Sequence, residues 1–122
     1  MITIEAALDE AGVLRSCRAE GHAGAGSAGG DIVCAAVSVL MRTALRVLSG
    51  TEGIAVRGDA PRRGLLWLEA DYAPEGKGFL SAAGAFLLEG LASVSREYPD
   101  NCTIHIRDWR KYNGEKTGRQ RR

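Results

Sequence analysis

The chain has 122 residues, a formal net charge of +1 and 45% hydrophobic residues, which suits one compact domain with its own core. A charge so near zero excludes a molecule-wide electrostatic binder of nucleic acid. No uninterrupted apolar run reaches about eighteen residues, so no membrane span is expected, and MITIEAALDEAG lacks the basic start and apolar block of a secretory signal, which makes the cytoplasm the expected location.

Residues 2 to 8 alternate, with Ile2, Ile4, Ala6 and Leu8 on one side and Thr3, Glu5 and Ala7 on the other, the period of a strand. Asp9-Glu10-Ala11-Gly12 has the length and residue types of a hairpin turn, and residues 13 to 20 form the antiparallel partner. Residues 21 to 30 are mostly glycine and alanine, a composition that cannot pack and predicts a mobile loop. Asp31 has the character of an N-cap. Beyond it Val33, Ala36, Val37, Leu40, Met41, Ala44, Leu45 and Leu48 recur at helical spacing and end near Ser49-Gly50.

The pattern then repeats. Strands are expected over residues 54 to 57 and 65 to 71, around a turn at residues 60 to 64. Pro74-Glu75-Gly76-Lys77-Gly78 leads into a second helix whose buried face should be Phe79, Ala83, Phe86, Leu87, Leu91 and Val94. Pro99 follows its end, and residues 102 to 107 close the domain as a last strand, with His105 on its surface. The order ββαββαβ gives an α+β fold, a single domain over residues 1 to 107 with helices packed on a mixed or antiparallel sheet. Residues 108 to 122 form a basic tail, DWRKYNGEKTGRQRR, expected to be flexible. Nucleic acid is not an expected partner beyond weak contact by that tail.

The chemistry concentrates in GHAGAGSAGGDIVCAAVS, residues 21 to 38. Cys17, Cys34 and Cys102 are odd in number and contain no CxxC pair, which argues against a disulfide framework or zinc knuckle. With only His22 and His105 as histidines, no metal site and no cofactor are expected. A lone helical cysteine is ordinarily a small core residue, and Cys17 and Cys102 on strands fit that description. Cys34 differs. With Asp31 as cap it would occupy the first helical turn, where free N–H groups and the helix dipole favour a thiolate. His22, across the glycine-rich spacer, supplies a candidate base. Ser38 lies one turn further along the same edge as Asp31 and Cys34. Asp31 has two readings, a cap or an acid that orients His22, and its negative charge opposes thiolate formation unless His22 is protonated.

The same stretch contains Gly24-x-Gly26-x-x-Gly29, a literal dinucleotide fingerprint. Its preceding strand belongs to a hairpin, not a βαβ unit, and Asp31 would aim a carboxylate at the pyrophosphate. The chain is also too short for two mononucleotide halves. The glycines therefore read as flexibility.

Gly21-His22-Ala23, followed after five positions by Gly29-x-Asp31-Ile32-Val33-Cys34-Ala35-Ala36-x-Ser38, closely resembles the signature of Prp, the bacterial ribosomal-processing cysteine protease family. The resemblance extends over about residues 1 to 107. It implies a homodimeric, cytoplasmic endopeptidase that removes a short N-terminal extension from the bacterial large-subunit ribosomal protein numbered twenty-seven. By that pattern Cys34 is the nucleophile and His22 the general base, with Asp31, Ser38, Ala35, Gly21 and Gly29 in the surroundings. The backbone N–H groups of Cys34 and Ala35 are candidate oxyanion donors. The chain departs from the pattern in its nearly all Gly and Ala loop and in its basic tail. A competing reading is a non-catalytic, ribosome-associated module that binds rRNA or a ribosomal protein.

Overall fold

A computed structural model describes residues 1 to 21 and 28 to 111, with backbone only for Ala28, Gly29 and Asp31. The expected order holds: β1 (Ile2–Leu8), β2 (Leu14–Gly21), α1 (Ala28–Ser49), β3 (Ile54–Arg62), β4 (Leu65–Tyr72), α2 (Lys77–Glu97) and β5 (Cys102–Asp108). A single 3-10 turn at Pro74–Gly76 leads into α2. The strands form one mixed sheet in the order β3-β4-β2-β1-β5, in which only β1 and β5 run parallel.

The alternation in β1 sets the architecture. Ile2, Ile4 and Ala6 are buried on the helix-covered side, opposite Gly21, Ala19 and Cys17 of β2. Leu68 and Leu66 of β4 continue that layer beside Cys17 and Ala19. From above, α1 contributes Val33, Val37 and Met41, and α2 contributes Leu87, Leu91 and Val94. Leu48, Leu80, Val13 and Ala70 form a second cluster. The opposite side of the sheet is polar and laced with ion pairs, including Arg57–Glu69 at 2.5 Å and Arg107–Glu5 at 2.6 Å. Such exposed pairs contribute roughly 0–1 kcal/mol each and mainly keep that side wet. His105 is exposed there, as expected.

Three local expectations need correction. The helix expected after an Asp31 cap begins at Ala28, so residues 28 to 30 are helical and Asp31 lies inside α1. Gly30 is buried, and glycine lets a helix start approach its neighbours closely. The turn expected at residues 60 to 64 is shorter, because β3 runs on to Arg62 with a register shift between Asp59 and Arg62. β3 is an edge strand, where Pro61 removes no ladder bond that the sheet needs. On α2 the buried residues are Leu80, Gly84, Leu87, Leu91 and Val94, whereas Phe79 and Phe86 are 46% and 77% exposed. The stripe is rotated because Gly84, not a large residue, meets the sheet.

The β1–β2 turn is closed by Asp9, whose carboxylate accepts the N–H groups of Ala11 and Val13, each at 3.0 Å, and the Tyr72 hydroxyl. Burial pushes the Asp9 carboxyl up, but the Tyr72 bond, the two backbone bonds and Arg15 outweigh it and hold it below the usual carboxylate range. A lowered folded-state pKa adds stability above the unfolded value, and that stability is lost as pH falls through the lowered value. Asp9→Asn should therefore flatten the loss of stability on the acid side, measured by urea unfolding across a pH series. A Cβ built on Gly84 lies 2.7 Å from the Leu14 Cβ, which cannot swing away. Gly84→Val should lower the unfolding free energy by about 1–3 kcal/mol, read as a shifted denaturant midpoint.

Candidate active site

Of the three thiols, Cys34 is exposed and Cys17 and Cys102 are buried. Burial pushes the Cys17 thiol up to about 12 and also raises that of Cys102. A neutral, enclosed thiol is a poor nucleophile, so reactive sulfur is confined to Cys34. Its exposure follows from the helix period. The core side of α1 is set by Val33, Val37 and Met41, and Cys34 and Ser38 fall on the flank of that stripe.

Cys34, Ser38 and Arg42 are spaced four residues apart and share one side of α1. Arg42 Nε donates to Ser38 Oγ at 3.1 Å, which holds a guanidinium on the face that carries the thiol. Leu45 continues this side and packs over β3, where a Cβ on Gly58 would lie 3.0 Å from Leu45 Cδ2. From Leu45 back to Cys34 the helix falls by roughly 16 Å, equal to about five residues of strand. Measured along β3 from Gly58, that reaches the β3–β4 turn at Arg62-Arg63-Gly64. The nucleophile candidate therefore stands level with a basic hairpin tip.

Gly21 lies at this same end of the sheet. Its N–H donates to Gly64 O at 2.8 Å. Its φ of +119° is one that side chains rarely adopt, and a Cβ there would sit 2.3 Å from Met1 O. Glycine is thus required where β2 hands the chain to the histidine-bearing segment. The adjacent Glu20 pairs with Arg62 at 2.6 Å, which ties the hairpin tip to β2. Hydrogen bonds from Arg18 and then Arg62 hold the Glu20 carboxyl below the ordinary glutamate range.

His22, with the rest of residues 22 to 27, lies outside the described residues, as do the side chain of Asp31 and residues 112 to 122. Gly29 and Ala35 are both within α1, and Ala35 is exposed. Because α1 starts at Ala28, Cys34 is nearly two turns inside it. The N–H groups that lack an intrahelical acceptor belong to the first turn of a helix, and Cys34 and Ala35 lie beyond that turn of α1. Those of Cys34 and Ala35 are engaged in the helix ladder, so the expected placement of the thiol in the first turn and the two proposed oxyanion donors do not fit this helix.

Sequence reasoning passed over Arg42 and the Arg62-Arg63 tip. Arg42 was detectable by its spacing from Cys34 and Ser38, whereas the tip needed the strand pairing to bring it to the site. Among the described residues no group of His, Cys, Asp and Glu could hold a metal ion. A cavity of about 470 Å³, lined by Arg15, Arg57, Glu69, Asp71 and Trp109 among others, lies toward the other end of the sheet and does not include Cys34.

Comparison with known proteins agrees with this geometry. The family model described as cysteine protease Prp matches residues 1 to 103. The fold is similar to that of SMU.848 from Streptococcus mutans, with TM-score 0.73 and 26% identity over 88% of this chain and 95% of that one. It is also similar to the ribosomal processing protease Prp from S. aureus in complex with a substrate peptide, with TM-score 0.74 and 19% identity over 88% of this chain and all of that one. A second S. aureus Prp structure holds a covalently linked product peptide, with TM-score 0.72 and 18% identity over the same 88%. Among curated proteins nothing matches.

The burial pattern predicts strongly unequal thiols. In the native protein a maleimide or iodoacetamide probe should label Cys34 and leave Cys17 and Cys102 unmodified until denaturant is added, as read by intact mass and peptide mapping. Native labelling of Cys17 or Cys102 at the rate of Cys34 would contradict the assignment of buried and open sulfur.

Proposed function

The chain belongs to the cysteine protease Prp family, and from that membership we propose that Cys34 and His22 form a catalytic dyad that removes the N-terminal extension of the large-subunit ribosomal protein numbered twenty-seven. The observation that carries the reading is the exposure of Cys34 on a helix flank while both other thiols are buried. The proposed enzyme works in the cytoplasm as a homodimer, in line with the sequence resemblance.

The steps follow from the chemistry of the pair. His22 takes the Cys34 thiol proton, and the thiolate attacks the scissile carbonyl carbon. The resulting tetrahedral oxyanion collapses to a thioester as the C–N bond breaks. The imidazolium gives its proton to the departing amine. Water, deprotonated by the again neutral His22, then attacks the thioester, and the carboxylate product leaves Cys34 as a thiol.

Two variants test the dyad against the extended ribosomal protein, with products followed by mass. Cys34→Ala should yield no product while its circular dichroism stays native. His22→Ala should fall by about 10²–10⁴-fold at neutral pH. Processing by Cys34→Ala at the native rate would overturn the proposal.

A further inference from the structure

Among the described residues every arginine has a carboxylate within ion-pair distance except Arg42, Arg46 and Arg63. Those three are not scattered over the domain. Arg42 and Arg46 are exposed on α1, eight and twelve residues after Cys34. Arg63 is exposed in the β3–β4 turn, which stands level with the thiol. Guanidinium charge is closed into ion pairs elsewhere and left open on the side of the domain that carries the exposed cysteine.

Arg42 is the one of the three whose head is fixed. Its Nε donates to Ser38 Oγ at 3.1 Å, and Ser38 is half-buried. The side chain therefore reaches back along α1 toward Cys34, and its guanidinium sits near the level of Ser38. Four helical residues separate Ser38 from Cys34, a rise of about 6 Å. An extended peptide advances about 3.3 Å per residue, so two residues of substrate cover the same distance. The Ser38 bond uses Nε and leaves both terminal nitrogens to donate. Asp59 of β3 lies close to this level, but it shares the polar side of the sheet with Arg57, opposite Trp67 and Glu69 of β4, and so is turned away from α1.

We propose that Arg42 is a specificity-determining residue whose guanidinium takes the carboxylate of an aspartate or glutamate two residues from the scissile bond. The proposal rests on the protease reading above for what Cys34 does to the bound chain. A carboxylate is a stronger acceptor for a guanidinium than a hydroxyl and can take two parallel N–H bonds, so the acid completes what Ser38 begins. Holding the head on Ser38 before substrate arrives reduces the rotamer freedom lost on binding. Arg63, on the hairpin tip, adds to the same positive field. An RNA backbone is the less fitting anion, because phosphate binding draws on a row of several basic contacts and three arginines on two separate elements do not form one.

The test uses the full chain and peptides that span the extension of the ribosomal substrate, with each position in turn carrying Glu, Gln or Lys. On the Cys34→Ala protein, fluorescence anisotropy should reveal one position at which Glu binds about 3–5-fold more tightly than Gln at low salt, with Lys weaker than either and the differences shrinking as salt rises. On the active protein that position should fall two residues from the bond whose cleavage is mapped by mass, with the preference carried by KM. Arg42→Gln should erase the preference and Arg42→Glu should turn it toward Lys. Arg46→Gln, one turn further from the thiol, should keep it. Equal binding of the Glu and Gln peptides at every position, or a preference that survives Arg42→Gln, would overturn the proposal. Arg42-dependent binding of an oligouridylate in place of the Glu peptide would also overturn it and name RNA as the partner. Glu-selective binding that depends on Arg42, with no peptide cleaved, would sink the protease reading and leave the carboxylate site standing.

Discussion

The fold depends on laying one side of α1 against the sheet. Val33, Val37, Met41 and Leu48 leave water together along a single stripe. Burying four such side chains supplies on the order of 6–12 kcal/mol before conformational entropy is counted. That contact fixes the rotation of the helix, and the rotation decides everything presented on its other sides. Cys34 is carried to one flank and Ile32, Val39 and Val47 to the opposite one. A shift of one residue in the buried stripe would turn the thiol by about 100° and bury it or aim it elsewhere.

A second constraint acts at the end of the sheet where α1 begins. Gly21 is held between Met1 and Gly64 in a conformation that other residues rarely adopt. Glu20 and Arg62 tie the β3–β4 tip to the same strand. The chain therefore enters the histidine-bearing segment from a rigid point and regains a rigid element at α1. Local rigidity on both sides suits the proposed Cys34–His22 pair, since small misplacements of reacting atoms carry large rate penalties.

The sequence showed most of the frame and less of the detail. Period-two alternation in Ile2 to Leu8 and the three- and four-residue recurrence from Val33 to Leu48 were strong signals, and both elements form where expected. The start of α1 was missed because Ala28-Gly29-Gly30 has no apolar period and Asp31 mimics a cap, whereas tertiary packing overrides weak glycine propensity. The buried face of α2 was misassigned at Phe79 and Phe86 because bulk was equated with burial. The true contact runs through Gly84, chosen for closeness to Leu14. At the site, the motif singled out Cys34, which the structure places on an exposed flank of α1, but the basic hairpin tip became visible only once strand register had placed Arg62 and Arg63. The Gly24-x-Gly26-x-x-Gly29 fingerprint was set aside on topology, and the antiparallel pairing of β1 with β2 supports that.

The central claim is that Cys34 is the sulfur that meets the scissile carbonyl. The most direct measurement uses a peptide halomethyl ketone built on the ribosomal-protein extension, with the modified residue mapped by mass spectrometry and residual processing measured on the same sample. The account predicts alkylation at Cys34 alone, with processing lost in proportion to the fraction modified. Full modification of Cys34 with processing intact, or loss of processing with the label on another residue, would contradict it.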